Sequence, residues 1–270
     1  MASPLVDALR EARTKLASAA VEPGEARVAK RIARELDKAI DRLEGRDADK
    51  DLVAIVCHDL KDPLASIVMG SGFLRKTIPP EDAAARRVID AIARSADRMS
   101  QVVGDFHDLA RLEDGTLSVE RRPCDVVAVL RGAIGPLEAQ ASEKGVAFEL
   151  DAPTDPVVAC CDRGRLAQIV AKLAGNALKF TAAGGRVAVR VARGDDGALV
   201  SVTDTGRGIS PDRLATVFDH DANARRMPRD GPGLGLAIVK GLIELQKGTI
   251  ALESKAGEGT TVAIALPYGT

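Results

Sequence analysis

Two long stretches of the chain place apolar residues at helical intervals. In each stretch these residues recur at nearly every 3.5 positions, which is typical of helices that pack side by side in a bundle. The segment KTIPP (76–80) separates the stretches, because consecutive prolines end a helix. The pattern therefore predicts a helical hairpin. The first arm carries Val53, Val56, Leu60, Pro63, Leu64, Ile67 and Leu74, and the second carries Ala85, Val88, Ile89, Ile92, Met99, Val102, Val103, Phe106 and Leu109.

One hairpin with an apolar stripe on each arm cannot bury both stripes fully. Two hairpins can bury them as a four-helix bundle, because each stripe then finds a partner across the dimer axis. We therefore expect a homodimer.

The region before the hairpin also reads as helical. Residues 3–20 and 25–44 show helical patterns separated by EPG (22–24), and a polar stretch, GRDADKD (45–51), follows them. No sensor domain is recognisable here, so the upstream sensor or partner is unknown. Residues 1–50 are compatible with a helical input stem, a partner-binding segment or the remainder of a longer protein.

After EDG (113–115) the pattern changes to alternating strands and helices. Strand patterns occur at 146–150, 157–161, 186–192, 198–204, 248–254 and 260–266, and helical patterns at 124–143, 162–180 and 234–246. This arrangement predicts an α/β domain of about 150 residues. The expected fold class is α+β, with a helical N-terminal segment at 1–50, a dimerising hairpin at 51–115 and an α/β sandwich at 116–270.

The amino-acid composition argues against two classes of protein, nucleic-acid binders that rely on bulk charge and membrane-spanning chains. Lys+Arg 38 against Asp+Glu 39 argues against a nucleic-acid binder that relies on bulk charge. No signal peptide and no sufficiently long apolar run is present, so the chain as given is not expected to span a membrane. The four cysteines lack metal-ligand spacing, and a reduced, cytoplasmic setting is the simplest interpretation.

One histidine stands in an unusual setting, the stretch HDLKDPL (58–64). At about 100° per residue, His58 is expected on the outer face of the bundle, with Asp62 one turn further along that face and Asp59 as its immediate neighbour. Pro63 removes one helical hydrogen bond, so we expect the turn around His58 to bend or loosen. Geometry alone leaves open a solvated histidine without a role.

Four glycine-containing stretches follow in the second half of the chain. They are GNALKFT (175–181) at a helix end, DTGRGI (204–209) after a strand, GPGLGL (231–236) before a helix and GEGTT (257–261) between strands. Glycine turns at a helix start present backbone N–H groups to phosphate. Each stretch alone is weak evidence, but the four in this order indicate a nucleotide site.

The chain resembles the bacterial sensor histidine kinases of two-component systems over residues 51–268. Their sequence boxes occur in order: HDLKDPL as the H-box, the stretch around Asn176 as the N-box, DTGRGI as G1, a reduced F-box at Val217–Phe218, GPGLGL as G2 and GEGTT as the last glycine box. The resemblance implies a phosphoacceptor hairpin and a GHKL (Bergerat) ATP-binding domain of the kind shared with DNA gyrase and mismatch-repair ATPases.

The resemblance also implies roles for single residues. Asn176 is expected to ligate Mg²⁺, which prefers hard oxygen ligands, and Lys179 to face the ATP phosphates. Asp204 is expected to accept a hydrogen bond from the adenine amino group, and residues 219–233 to form a lid over ATP. The full set of implied nucleotide-binding residues is Asn176, Lys179, Phe180, Asp204, Gly206, Gly208, Ile209, Gly231, Gly233, Leu234, Gly235, Leu236, Thr260 and Thr261.

The implied chemistry is phosphoryl transfer from ATP to His58. Nε2 of His58 is expected to attack the γ-phosphorus while Asp59 accepts a hydrogen bond from the Nδ1–H group. The phosphohistidine then donates to an aspartate of a separate response regulator. Asp62 occupies the position where related kinases that dephosphorylate their regulator carry Thr or Asn, so we expect weak phosphatase activity.

The chain departs from the family pattern in three places. Lys172 stands where an Asn is usual, and Phe218 lacks the second phenylalanine of the F-box. The lid has no aromatic residue, but its Arg225, Arg226 and Arg229 either reach the γ-phosphate or form a solvated basic loop.

Two other functions compete with the kinase. A phosphotransfer or scaffold protein would keep the hairpin and lose the glycine boxes, whereas DTGRGI and GPGLGL remain here. An ATPase that uses the fold for conformational work would leave HDLKDPL without a purpose.

Overall fold

The computed structural model describes residues 34, 37, 49–79, 81–219 and 234–269, and at residues 49–55 and 58 it describes the backbone alone. The helix predicted at 3–20 lies outside these residues. So does the helix predicted at 25–44, except for Arg34 and Asp37, which are helical. The described chain forms two compact units, divided between Ala110 and Arg111.

The first unit contains the predicted helical hairpin. Helix α1 spans Asp49–Thr77 and helix α2 spans Ala83–Glu113. Asp82 caps the start of α2, since its Oδ1 accepts the N–H of Ala85 at 3.0 Å. The Arg86 guanidinium donates to the carbonyl of Ile78 at 3.0 Å, which ties the turn between the helices to the second arm. The prediction of two long helical arms is confirmed.

Helix α1 continues through Pro63 as one element. The hydroxyl of Ser66 donates to the carbonyl of Asp62 at 3.0 Å, within the turn that contains the proline. The predicted bend near His58 therefore does not take the form of a break in the helix.

The side chains along each arm form two rows, of which one is buried in the single chain and the other is partly exposed. Cys57, Leu64 and Ser71 are buried at intervals of seven residues on α1, as are Ile89 and Ala96 on α2. A second row on each helix stays partly exposed in the single chain. It consists of Leu60 (42%), Ile67 (44%) and Leu74 (47%) on α1, and Ile92 (45%), Met99 (54%) and Phe106 (45%) on α2. The hairpin thus buries one row and leaves the other uncovered.

The second unit is an α/β sandwich built on a mixed five-stranded sheet in the order β2–β4–β5–β7–β6. Strands β2 and β4 are parallel, and the remaining neighbours are antiparallel. The strands are β2 (Ala147–Asp151), β4 (Arg186–Arg193), β5 (Gly197–Asp204), β6 (Thr249–Lys255) and β7 (Gly259–Pro267). All five strands were predicted within one residue at each end.

Three long helices cover one face of this sheet. They are α3 (Val126–Lys144), α4 (Arg163–Phe180) and α6 (Gly235–Leu245), and a short helix, α5, spans Pro211–Leu214. Strand side chains alternate, so Val187, Val189 and Val191 of β4 are buried towards the helices. Leu166, Ile169, Ile238 and Leu242 of the helices are fully buried and complete the core.

Aspartates start two of these helices. Asp125 accepts the N–H of Val127 at 3.1 Å at the start of α3, and Asp162 accepts those of Gly164 (2.9 Å) and Arg165 (3.1 Å) at the start of α4. Burial acts to raise the pKa of Asp162, but three backbone hydrogen bonds and the charge of Arg165 prevail and lower it.

A second, two-stranded sheet was only half predicted. Strand β3 (Val158–Cys161) matches the pattern at 157–161, but its antiparallel partner β1 (Arg122–Asp125) was not predicted. The sequence of β1, RPCD, has no alternation of apolar and polar residues and contains a proline, so its extended form depends on pairing with β3.

Candidate functional site

The end of strand β5 places one carboxylate beside the glycine turns. Asp204 is the last residue of β5 and pairs with Thr260 of β7 in the sheet register. It is half-buried, and its Oδ1 accepts the N–H of Gly206 at 2.8 Å. Burial raises the pKa of the Asp204 carboxyl, although backbone hydrogen bonds from Gly206 and Thr260 oppose the shift. A carboxylate partly withdrawn from water in this way is suited to accept a hydrogen bond from a ligand N–H group.

Glycine is required at two positions of the turn that follows β5. A Cβ atom at Gly206 would lie 2.6 Å from the carbonyl oxygen of Phe180 and 2.8 Å from Asp204 Oδ1. Gly208 has a φ of +63°, and a Cβ there would overlap the carbonyl of Lys255. The turn therefore lies pressed against both the end of α4 and the β6–β7 turn.

Ser254 connects that turn to the last glycine box and was not predicted as a site residue. Its Oγ accepts the N–H of Ile209 at 2.8 Å and donates to the carbonyl of Gly259 at 2.9 Å. Thr260 Oγ1 lies 2.9 Å from the Oγ of Ser254. A serine within a strand gives no sequence signal for this role, because only the tertiary fold brings residues 209 and 254 together.

Helix α4 presents the predicted metal ligand to the start of α6. Asn176 is half-buried, and its Nδ2 lies 3.6 Å from the position that a Cβ on Gly235 would occupy. Gly235 is the first residue of α6. The N-box and the described part of the G2 box, which are far apart in sequence, are therefore neighbours in the fold.

Two cations lie near the aromatic ring that ends α4. The Nζ of Lys179 is 5.0 Å from the centroid of the Phe180 ring, and the Cζ of Arg207 is 4.5 Å from it. Both distances are typical of cation–π contacts. Arg207 was not predicted, and its backbone N–H also approaches the carbonyl of Phe180 at 3.4 Å. The end of α4 therefore places two cationic side chains around one aromatic ring.

The two threonines of the last glycine box lie on opposite faces of the sheet. Thr260 pairs with Asp204, whereas Thr261 pairs with Thr203, and the two threonine hydroxyls at 203 and 261 lie 3.1 Å apart. Because strand side chains alternate, only Thr260 shares the face of Asp204. The structure thus brings Thr260 to the site but does not bring Thr261 there.

Not all predicted residues fall within the described part of the chain. Gly231, Gly233 and nearly all of the predicted lid lie outside it. Leu234 is buried, and its carbonyl accepts the N–H of Ile238 at 3.1 Å, so it joins Gly235 and Leu236 at the start of α6. Phe218 of the reduced F-box is half-buried, with the Nζ of Lys240 at 5.9 Å from its ring centroid.

The candidate phosphoacceptor lies in the other unit. His58 is within α1, and its backbone alone is described, so its outward orientation remains a prediction. Asp59 and Asp62 are exposed on the same helix. Asp59, Asp62 and His58 are therefore on one element, separate from the unit that contains Asp204.

The described residues contain neither a metal-ligand cluster nor a membrane-spanning helix. Within 49–79, 81–219 and 234–269, no group of three or more His, Cys, Asp or Glu side chains is arranged to hold a metal ion. In the same parts of the chain, no helix combines the length and apolar character needed to cross a membrane.

Two family models match the chain in the order of its units. The model described as "His Kinase A (phospho-acceptor) domain" matches residues 48–115, and that described as "Histidine kinase-, DNA gyrase B-, and HSP90-like ATPase" matches residues 161–270. The first range contains α1 and α2, and the second contains α4, β4–β7 and α6.

Curated relatives extend over most of the chain. The aerobic respiration control sensor protein ArcB homolog of Haemophilus influenzae is 33% identical over 248 residues, which cover 89% of this chain and 75% of that protein. The histidine protein kinase DivJ of Caulobacter vibrioides is 34% identical over 80% of this chain and 36% of its own length. For the circadian input-output histidine kinase CikA of Synechococcus elongatus, the chain spans only 32% of the relative's length.

A solved structure supports the same fold. Full-length ShkA in complex with AMPPNP has a TM-score of 0.64 and 31% sequence identity, with 82% of this chain and 46% of that one covered. The relatives and this structure agree with the architecture of a helical hairpin followed by an ATPase-type sandwich.

Proposed function

The chain belongs to the histidine kinase family, and from that premise we propose that it is an ATP-dependent protein-histidine kinase that phosphorylates its own His58. The α/β unit binds the nucleotide, and α1 carries the acceptor. The observation that carries the proposal is that Gly206, whose N–H bonds to the half-buried Asp204, packs against the carbonyl of Phe180 at the end of α4, the helix that also carries Asn176 beside Gly235.

ATP binds with its adenine against Asp204. The carboxylate accepts a hydrogen bond from the adenine amino group, and the absence of a side chain at Gly206 lets the turn beside it pack against the carbonyl of Phe180. The AMPPNP bound to ShkA is a nucleotide of this type. Lys179 lies one turn after Asn176 on α4, where its positive charge favours the anionic phosphates.

Asn176 would hold Mg²⁺ beside the ATP phosphates. The described side chains offer no metal cage of their own, so an ion bound here would take most of its ligands from phosphate and water. This suits Mg²⁺, which dehydrates reluctantly and accepts a hard amide oxygen. The bound ion would offset the charge of the phosphates.

The reaction is an in-line displacement at the γ-phosphorus. The lone pair of His58 Nε2 forms the new N–P bond while the bond from phosphorus to the departing ADP oxygen breaks. Asp59 accepts a hydrogen bond from Nδ1–H, which keeps Nε2 unprotonated and stabilises the positive charge that develops on the ring.

The hairpin forms a homodimer through its uncovered apolar row. Leu60, Ile67 and Leu74 of one arm, and the corresponding row of the other arm, are between 42% and 54% exposed in the single chain. Packing two hairpins against each other as a four-helix bundle covers these residues, since apolar area removed from water stabilises the association.

Phosphohistidine then passes its phosphoryl group to an aspartate of a separate response regulator. The N–P bond breaks as a carboxylate oxygen of the regulator attacks, and the His58 imidazole leaves as the free side chain. The stimulus that controls the kinase acts through an upstream sensor or partner.

One labelling experiment separates this function from its competitors. The protein is incubated with γ-labelled ATP and Mg²⁺, and the label is tested in acid and in base. We expect retained label that is acid-labile and base-stable. Free phosphate without retained label would indicate an ATPase, and neither product would indicate a scaffold.

A further inference from the structure

The carbonyls in the final turn of helix α4 accept hydrogen bonds from residues outside the helix. This turn carries Asn176, Lys179 and Phe180, and the last carbonyls of a helix have no partners within it. The carbonyl of Ala177 accepts both the N–H of Thr181 (3.1 Å) and its hydroxyl (2.7 Å). The carbonyl of Phe180 is approached by the Arg207 N–H at 3.4 Å. Two carbonyls in between, those of residues 178 and 179, remain to be satisfied.

Lys144 satisfies both of these carbonyls. Its Nζ donates to the carbonyl of Leu178 at 2.7 Å and to that of Lys179 at 3.0 Å. Lys144 is the last residue of α3 and lies 34 and 35 positions away in sequence, so this is a tertiary contact. One ammonium group therefore joins the C-terminal ends of two long helices.

The backbone fixes Lys144 in this place. Gly145 follows it in the left-handed conformation with a φ of 70°, and its N–H bonds back to α3. The carbonyl of Gly145 accepts the N–H of Gly184 at 2.7 Å, in the segment that follows α4. The backbone beside Lys144 is thus hydrogen-bonded to the segment after α4, and its ammonium is hydrogen-bonded to the end of α4.

The positive charge of Lys144 also offsets the negative end of the α4 helix dipole. A helix C-terminus carries roughly half a negative elementary charge, which a nearby cation offsets. If ATP phosphates bind beside Asn176 and Lys179, the unshielded end of α4 would repel them. Lys144 places a full positive charge on the carbonyls of that end.

We propose that Lys144 is a positioning residue of the nucleotide site, which holds the last turn of α4 so that Asn176 and Lys179 engage the ATP phosphates. This inference rests on the proposed binding of ATP at Asp204. It assigns Lys144 no contact with the nucleotide itself. Asp204 lies on β5, and the turn after it meets α4 at the Phe180 carbonyl and not at the two carbonyls that Lys144 holds, so adenine recognition depends less on Lys144 than phosphate binding does.

The test uses the full chain and three variants. Lys144→Met removes the ammonium but keeps an unbranched apolar stem one atom shorter than that of lysine, and Lys144→Arg keeps a cation that can donate to two carbonyls. Arg131→Met is the matched control, since Arg131 is an exposed cation on the same helix. Binding of Mg·ATP and of adenosine is measured for each protein, together with the KM and kcat for self-labelling and the melting temperature.

We expect Lys144→Met to weaken Mg·ATP binding and raise KM by about threefold to tenfold. Adenosine binding and kcat should stay within about twofold of wild type, because the effect acts through the phosphate end of the site. Lys144→Arg should restore Mg·ATP affinity, and Arg131→Met should leave it unchanged.

Three results would overturn the proposal. Unchanged Mg·ATP affinity in Lys144→Met would show that the contact is dispensable while leaving the kinase function intact. Equal weakening of ATP and adenosine with a lower melting temperature would show a purely structural lysine. Failure of the wild-type protein to bind ATP would overturn the proposed function and this inference with it.

Discussion

The two units of the chain differ in how completely each buries its own apolar residues. The α/β unit encloses its core, with Val187, Val189, Ile264 and Leu266 at most 2% exposed. The hairpin buries Leu64 and Ile89 but leaves a parallel row, including Ile67 and Met99, about half exposed. A sheet covered by helices can be self-sufficient, whereas a pair of helices has a second face that needs a partner. The unit that we propose to bind ATP therefore needs no partner to cover its described core, whereas the hairpin that carries His58 has an apolar row that a partner must cover.

The largest expected effect separates the two units chemically. His58→Gln should abolish self-labelling by γ-labelled ATP, since the nucleophilic nitrogen is removed, and should leave ATP affinity unchanged because Asp204 lies in the other unit. His107→Gln, on the second arm of the same hairpin, is the matched control and should still be labelled. Full labelling of His58→Gln would contradict the assignment of the acceptor.

Assembly should depend on the hairpin and not on the α/β unit. Ile67→Glu places a charge in the row that the dimer covers, and it should raise the dimer dissociation constant by on the order of 100-fold or more. Leu199→Glu is a sharp control, because Leu199 on the helix-free face of the sheet is 45% exposed and Ile67 is 44% exposed. Sedimentation in which both variants remain dimeric, or both dissociate, would remove the proposed contrast between the units.

A third change acts on the α/β unit alone. Asp204→Asn should weaken ATP binding by about 10-fold to 100-fold, since a hydrogen bond to a charged acceptor contributes roughly 1.5–3 kcal/mol. Calorimetry measures the affinity directly. An unchanged affinity would exclude Asp204 as the adenine acceptor.

The raised pKa of Asp204 gives this variant a second signature. Burial raises the pKa of Asp204 in the folded protein above its value in the unfolded chain. At neutral pH the ionised carboxylate therefore lowers the stability of the ATP-free protein. This destabilisation is lost as pH falls from the folded-state pKa towards the unfolded-state pKa. The asparagine cannot ionise. We therefore expect Asp204→Asn to melt above wild type at neutral pH, with a gap that narrows in acid. A constant gap across this pH range would contradict the burial effect.

The smallest expected effect concerns Asp62, which is exposed on α1. A carboxylate accepts hydrogen bonds but does not donate them, and it adds negative charge where water must attack a phosphoryl group. Asp62→Asn or Asp62→Thr should therefore accelerate decay of a phosphorylated regulator severalfold from a low wild-type rate. Asp97→Asn, an exposed aspartate on the other arm, is the control. Fast wild-type decay that falls in Asp62→Asn would reverse the conclusion and make Asp62 a base.

The elements of the fold were predictable wherever local pattern decides structure. Alternation identified the strands of the five-stranded sheet, and helical spacing identified both arms of the hairpin. Strand β1 was missed because RPCD is extended only through its pairing with β3. The buried row of α1 includes Cys57 and Ser71, which an apolar stripe does not select.

The sequence predicted the residues in the glycine loops of the site but not the residues from other elements that hold those loops in place. Asp204, Gly206 and Gly208 lie in a short motif, so their neighbourhood was visible in the sequence. Ser254 and Lys144 act across long sequence separations and belong to residue types that are common on surfaces. The exclusion of Thr261 from the face of Asp204 follows from strand alternation, and the sequence already contained that signal.

In the proposed reaction a phosphoryl group leaves ATP in the α/β unit and becomes bonded to His58 of the hairpin. The most direct measurement locates that group by mass spectrometry after the full chain reacts with ATP and Mg²⁺, with fragments kept at neutral to basic pH to preserve the N–P bond. We expect phosphorylation at His58 and none at His107 or at a serine. Phosphate on any of those other residues, or ATP turnover with an unmodified His58, would contradict it.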